Sequence, residues 1–508
     1  MYPFRHSATG GKPGEERLGV FVLRLQTFAA LLLAGVLLAT PALVNRFPFI
    51  FYDSSSYISR ATVVTHPGVR AAHRRAAAQP PANQTGANAS SFTEHSYRTI
   101  SRNPFFLRPI TYSVLLVPFS IPPLFYLLPL AQGFFCAYVI RRLCTTLSIE
   151  GWKPFFAIIG GLTILSSLPL HVSYVMPDVF TGLLVVMSFV TVFAWPQRSA
   201  PGRALDVLLM TGLVAVHLSH LPITLALIVL YAIGAMALRR EVKPAAVAFG
   251  AIAPFVLAIG LLAGSNYAVA RHAIISESSP LFLLARLIGD GPAVAYLQQH
   301  CAQDHYLLCD HLDGLRAVGP GESISDHFLW DPEGAVKTIA DPRLLAEAAK
   351  IDSGTIREYP MQMVGNVLRN GLRQLVHFQV DVDVNSEPAP FVVKSLREVG
   401  PGLVQPYLHS PQAHGLVPIG PARLLIATGL ALAFAAVAWV GVTKRRAAGA
   451  SAWAFVFIAA AGFSANALAT GGLSEVHDRY GNRVVWILPL AALVLLCAAR
   501  RRAAAPRA

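Results

Sequence analysis

Apolar stretches close to the length needed to cross a bilayer recur from one end of this chain to the other. They lie near residues 20–44, 123–146, 154–171, 177–195, 204–219, 221–238, 244–264, 421–442, 451–470 and 484–499. A helix needs about 20 apolar residues to traverse about 30 Å of hydrocarbon, and within that slab each backbone N–H and C=O must be satisfied inside the segment. The pattern predicts an α-helical polytopic membrane protein with about ten transmembrane helices. A hydrophobic share of 54% against 13% charged excludes an ordinary soluble profile. The net charge of +14 does not point to nucleic acid, because the Lys and Arg residues fall largely in short clusters between the apolar stretches. Those clusters are Arg5, Lys12 and Arg17; Arg141 and Arg142; Arg198 and Arg203; Arg239, Arg240 and Lys243; Lys444, Arg445 and Arg446; and Arg500, Arg501 and Arg502. Positive residues mark the cytoplasmic side, so both termini are expected in the cytoplasm. A composition rich in Ala, Arg, Pro and Gly with few Lys suits a bacterium of high genomic GC content, and the bacterial inner membrane is the expected location.

The alternation of sides holds only if 107–121 does not cross. Leu107, Arg108 and Pro109 open it, and Pro118, Pro122 and Pro123 break any long helix, so a re-entrant or juxtamembrane helix on the outer side is expected. The stretch 204–238 reads either as two short helices or as one long kinked helix, the break resting on His217, Leu218, Ser219, His220 and Pro222. The first span is too long for a cleavable signal and is expected to remain as an anchor.

Three modules follow: an N-terminal transmembrane module, 1–264; an extracytoplasmic domain, 265–420; and a C-terminal transmembrane module, 421–508. The first outer loop, 45–106, carries Arg70, His73, Arg74 and Arg75 and a mobile-looking stretch at 76–91. The outer domain holds 17 of the 27 acidic residues. It reads as a mixed domain, helical at 281–300 and 341–376, with an extended stretch at 376–384 where Val376, Phe378, Val380, Val382 and Val384 alternate. Cys301 and Cys309 lie within it, and an oxidising compartment would permit a disulfide; a metal pair with His300, His305 or His311 is the alternative. Cys136, Cys144 and Cys497 read as buried apolar residues of the helices.

Polar groups gather where the spans meet the outer face. Asp53 follows the first span, flanked by Tyr52, Ser54, Ser55, Ser56 and Tyr57; Arg108 starts the re-entrant helix; Asp178 follows Pro177. His217 and His220 come next, then Arg271 and His272, then His477, Asp478, Arg479 and Tyr480. A charge so near hydrocarbon is costly. Taken singly, the carboxylates also read as solvated helix ends or N-caps, the two histidines as a brace for a kink, and the tyrosines as an interfacial belt.

Their order resembles the GT-C superfamily of glycosyltransferases, which use polyprenyl-phosphate-linked sugars. Tyr52-Asp53-Ser54-Ser55-Ser56-Tyr57, Leu107-Arg108-Pro109, Tyr174-Val175-Met176-Pro177-Asp178 and Asp478-Arg479-Tyr480 carry the likeness. Within the superfamily the chain is most similar to bacterial protein mannosyltransferases and lipid A aminoarabinose transferases. The likeness covers about the first 240 residues and, more thinly, the last 90. The family usually places a second acidic residue beside its first-loop Asp, where serines stand here, and the middle domain has no counterpart.

The resemblance implies a GT-C-like fold and transfer of a sugar to an acceptor hydroxyl of a glycan, lipid or protein on the extracytoplasmic side. Asp53 is then the candidate base, with Asp178 orienting sugar hydroxyls or sharing the acceptor proton. Arg108 and Arg479 would stabilise charge on the departing phosphate, and Tyr57, His217, His220 and Tyr480 would complete the substrate-binding set. The partners implied are the polyprenyl-phosphate-linked sugar donor, the acceptor and membrane lipid, with no nucleic acid. No cofactor is expected: a divalent metal is compatible with the carboxylates, but no ligand pattern, phosphate loop, dinucleotide fingerprint or repeat demands one. Two other classes stay open: an O-antigen ligase or polymerase working through the Arg and His residues of the outer domain, and a transporter or envelope protein without catalysis.

Overall fold

The computed structural model describes residues 13–66, 68, 108–237, 242–271, 273–319, 322–341, 343–380, 382–385 and 387–504. Arg5 and Lys12, the loop residues Arg70, His73, Arg74 and Arg75 with 76–91, and Leu107, Arg239, Arg240 and His272 lie outside these described residues. Each predicted apolar stretch is helical: α1 (Pro13–Leu38), α4 (Leu128–Thr146), α5 (Trp152–Leu165), α6 (Val179–Ala194), α7 (Ala200–Ala215), α8 (His220–Ala237), α9 (Ala253–Ala270), α15 (Ile419–Thr443), α16 (Ala450–Leu473) and α18 (Ile487–Ala504). Between them lie α2 (Ser54–Thr65), α3 (Ile110–Leu116), α10 (Ser279–Asp290), α11 (Pro292–Asp304), α12 (Arg343–Glu358), α13 (Pro360–Gln374), α14 (Pro390–Val399) and α17 (Asp478–Val485). Proline occupies the first turn of α4, α9, α11, α13 and α14, where its missing N–H costs nothing.

The chain is a multi-pass α-helical membrane protein. Among the described residues, five helices are long and apolar enough to cross: Val179–Gln197, Pro244–Ala268, Ile419–Thr443, Ala450–Leu473 and Asp478–Arg501. The pair α10 and α11 would make a sixth, but it bends by 100° at Gly291. This is fewer than the ten expected from apolar length. Trp152–Leu165 is shorter, because Ser166, Ser167 and Pro169 interrupt the run, and the break at 216–219 divides α7 from α8. The 204–238 stretch is therefore two helices. Ile110–Phe119 is ten residues long, about 15 Å, and too short to cross.

The stretch 265–420 feeds two cores. Leu281, Leu284, Ile288, Leu297, Phe328 and Ile351 form one cluster built on α10, α11 and α12. Val380, Val384, Val392, Leu396 and Tyr407 instead join the large cluster of the membrane helices. Cys301 and Cys309 are joined in a disulfide, which settles the pairing against a metal site. The expected mixed domain is corrected: among the described residues there is no strand, 376–380 is irregular, and Val382–Asn385 forms a 3-10 turn. Its backbone bonds to side chains instead of a neighbouring strand: Asn482 Nδ2 donates to Phe378 O at 2.7 Å, Asp478 accepts from Gln379 N at 2.9 Å, and Arg423 Nε donates to Val380 O at 2.9 Å. The alternation reflects Val380 and Val384 turning into the core.

One backbone link fixes the site. Phe49 pairs with Tyr174 in an isolated parallel bridge, Phe49 N donating to Ser173 O and Val175 N to Phe49 O, both at 2.9 Å. On the other edge, the Gln412 amide accepts from Ile50 N at 3.0 Å and donates to Ile50 O at 2.8 Å. The segment leading to Asp53 is thus clamped to the segment leading to Asp178 by one neighbour and to the C-terminal third by the other.

Candidate functional site

Asp53 and Asp178 stand at the N-cap positions of α2 and α6, yet neither side chain caps its helix. Both carboxylates are turned toward arginines. Arg108, two residues before α3, places Nη2 2.5 Å from Asp53 Oδ1, and Arg479 on α17 places Nη2 3.1 Å from Asp53 Oδ2. Arg479 also brings Nε to 3.7 Å from Asp178 Oδ1, and Arg483, one turn further along α17, brings Nη1 to 3.7 Å from the same oxygen. The four residues Asp53, Arg108, Asp178 and Arg479 meet in one chain of charges, although 426 positions separate Asp53 from Arg479.

The two carboxylates differ in environment. The Asp53 side chain is 24% exposed and that of Asp178 3%, so Asp53 is the one a solvent-borne or lipid-borne ligand reaches first. At 3.7 Å the contacts of Asp178 exceed hydrogen-bond length, and its Oδ1, Arg479 Nε and Arg483 Nη1 are buried atoms without hydrogen-bond partners. Behind Asp53 lies a cavity walled by Phe51, Leu170, Met176, Val380 and Val384, with His171, Asp178, Arg479 and Asn482 as its polar lining. Buried polar atoms left without partners call for an explanation of their own, and here they gather at one cluster of charges.

The remaining predicted residues fall around this centre. Tyr57 is fully buried one turn into α2, its ring 5.8 Å from the Arg108 guanidinium and edge-on to Tyr112. It reaches a ligand only through Arg108. Tyr480 is half-buried, with Arg479 and Arg483 5.5 and 5.2 Å from its ring. His217 meets Ser219 Oγ at 2.8 Å, and that hydroxyl accepts from Arg483 Nη2 at 2.8 Å, so His217 joins the charges at second hand. His220 is fully buried with both nitrogens engaged, by Thr181 Oγ1 at 2.9 Å and Leu213 O at 2.6 Å; it braces the break between α7 and α8 and does not face the cavity. Arg271 caps the C-terminus of α9, apart from the site. His477, at the rim, pairs with Asp326 at 3.5 Å. Burial lowers its pKa, but the hydrogen bond and charge of Asp326 outweigh this and hold the imidazole above its ordinary value.

Three cavity or cluster residues escape the sequence reading. Arg483 sits four residues after Arg479, on the same face of α17, and that spacing was a usable signal. His171 and Asn482 carry no such signal. The imidazole Nε2 meets Asn482 Oδ1 at 2.8 Å while the Asn482 amide nitrogen serves Phe378 O, which leaves His171 Nδ1 buried without a partner.

At the opposite ends of α4 and α6, Asp206 on α7 receives two bonds from Arg142, both at 2.9 Å, and two from Arg198, at 3.0 and 3.3 Å. This second buried cluster ties helices together about 24 Å from Asp178, the length of α6. No protein-family model matches this chain, and no curated protein or solved structure matches it either.

Proposed function

We propose that this protein is a membrane glycosyltransferase that moves a sugar from a polyprenyl-phosphate-linked donor to an acceptor hydroxyl of a glycan, lipid or protein. The observation that carries the reading is the convergence of Asp53, Arg108, Asp178 and Arg479, drawn from four distant segments, in one chain of ion pairs, two of whose members, Asp178 and Arg479, line a cavity. In this reading the site faces the extracytoplasmic side of a bacterial inner membrane with both termini in the cytoplasm. In this reading α1, α4, α5, α7 and α8 join the five long apolar helices in a GT-C-like set of about ten crossings, and α3 stays at the outer surface.

The charges suit the chemistry. A donor phosphate competes with Asp53 for the guanidinium donors of Arg108 and Arg479, which grip phosphate oxygens in a fork. As the arginines turn to the phosphate, Asp53 is released to accept the proton of the acceptor hydroxyl. The acceptor oxygen bonds to the anomeric carbon, the bond from that carbon to the phosphate oxygen breaks, and the negative charge left on the phosphate is held by the two arginines more strongly than in the ground state. Asp178 and Arg483 keep the second guanidinium aimed.

The test is transfer of a labelled sugar from polyprenyl-phosphate donors by the protein reconstituted in vesicles. Asp53→Asn is expected to lower the rate by about 100- to 10,000-fold, the usual contribution of a positioned base. Undiminished transfer in that variant sinks the base assignment. Transfer lost on changing the outer-domain histidines and arginines but kept in Asp53→Asn would move the site to the ligase arrangement, and no transfer from any such donor would end the enzymatic reading.

A further inference from the structure

The helix α13 has three distinct faces. Asn366, Asn370, Gly371 and Gln374 are buried against α16 and the residues around it. Gly471 and Gly472 permit this closeness, since a Cβ on either would stand 2.6 Å from Asn370 O or 2.7 Å from Val367 Cγ1. Gln374 locks the end of the helix, donating to His477 O at 2.8 Å and accepting from His477 N at 2.9 Å. A second face carries Met361, Val364, Leu368 and Leu372, spaced by three and four residues and between 52% and 81% exposed. A third, beside it, carries exposed Gln362, Arg369 and Arg373.

Depth decides what covers the apolar face. Gly371 lies beside Leu468 and Val367 beside Gly472, so α13 runs antiparallel to α16. Leu468 is five residues, or about 8 Å, inside the end of α16 at Leu473, where the polar Ser474 and Glu475 follow. Leu372 and Leu368 therefore stand at the level of the last two turns of a membrane-crossing helix. Exposed Phe457 and Leu468 of α16 share one side of that helix, eleven residues or three turns apart, and Gly371 meets Leu468. The apolar face of α13 continues the hydrocarbon-facing flank of α16.

We infer that α13 is an interfacial anchor that seats in the bilayer leaflet on the site side, with Leu368 and Leu372 among the acyl chains and Arg369 and Arg373 on anionic phospholipid headgroups. An amphipathic helix with basic residues flanking its apolar stripe has the composition that binds such a surface. The rigid packing of its buried face then fixes the height of the α10–α12 core above the site.

The full-length protein, with Cys136, Cys144 and Cys497 replaced by Ala and the disulfide kept, is placed in nanodiscs of phosphatidylcholine with or without phosphatidylglycerol. Spin labels go on Leu368→Cys, Leu372→Cys and Gln362→Cys, with Phe457→Cys as the hydrocarbon reference. Labels at 368 and 372 are expected to collide with oxygen in preference to a water-soluble nickel chelate, as at 457, and the label at 362 to show the reverse. Water-like values at 368 and 372 overturn the inference. Shielding from both reagents also overturns it, since that marks a protein partner or a second copy. The gain in melting midpoint on adding phosphatidylglycerol is expected to fall by at least half in Arg369→Gln/Arg373→Gln, and an unchanged gain refutes the headgroup contact.

Discussion

The buried contact between Asp178 and Arg483 makes the most quantitative demand on stability. Arg483 is 0% exposed and Asp178 3%, their charged atoms are 3.7 Å apart, and no hydrogen bond joins them. At an effective dielectric of about 20, a pair at that distance attracts by about 4 kcal/mol before desolvation is counted. Asp178→Asn keeps the volume and removes the charge, leaving Arg483 inside the protein with only Ser219 and Asn466 as acceptors. Breaking one side of a buried pair costs about 3–5 kcal/mol, because the surviving charge is uncompensated. Arg483→Gln alone should cost less, because Arg479 Nε still stands 3.7 Å from Asp178 Oδ1, and the double variant should fall short of the sum by at least about 2 kcal/mol. Equilibrium unfolding in mixed micelles, followed by fluorescence in a background where Trp486 is kept and the other five tryptophans are replaced by Phe, reads this locally, since Trp486 is fully buried and its indole N–H donates to Arg483 O at 3.1 Å. If the two single costs add within about 0.5 kcal/mol, the pair does not interact and the account of how Arg479 is kept aimed fails with it.

Two further outcomes follow from other parts of the molecule. Burial pushes the Asp352 carboxyl on α12 up to about 8, and its Oδ1 has no hydrogen-bond partner. The folded state therefore holds this proton more tightly than the unfolded chain, so the α10–α12 core is most stable below about pH 4 and weakens as pH rises toward 8, by a few kcal/mol at about 1.4 kcal/mol per unit. Limited proteolysis between pH 5 and pH 9 should show the loss, and Asp352→Asn should abolish it. A Cβ on Gly133 would stand 2.4 Å from Gly35 O, so Gly133→Val must drive α4 from α1 and lower the melting midpoint sharply; Gly160, with nothing within 4 Å of its Cβ position, should accept Ala without loss. An unaltered midpoint in Gly133→Val would contradict the close crossing.

Much of the site was legible because its members sit at the edges of apolar runs, where a charge stands out. Asp53, Arg108, Asp178 and Arg479 were each readable as helix ends. What the sequence could not supply was the direction of each side chain: the carboxylates occupy cap positions without capping, and only tertiary packing turns them toward arginines. Arg483, His171 and Asn482 were hidden inside or beside the spans, and their partners come from positions hundreds of residues away. His220 was readable as polar but not as fully engaged, since Leu213 O and Thr181 claim both nitrogens. The alternation at 376–384 misled because a period of two also arises where an irregular segment drops two valines into a core and leaves its backbone to side-chain partners. Apolar length likewise ran ahead of helix length, because prolines and serines cut several runs, so that among the described residues five helices are long and apolar enough to cross.

The ion pair between Asp53 and Arg479 also sets a clock. A ribosome adding about 5 to 20 residues per second needs roughly 20 to 85 s to travel the 426 positions between them. Arg108 emerges early and can hold Asp53 meanwhile, but the second arm of the clamp, with the cavity floor from Asn482, arrives only with the last two helices. On the reading proposed above, a chain released before residue 479 holds Asp53 and Arg108 but not the second arginine that pairs with Asp53. The charge cluster is complete only once α17 has been made.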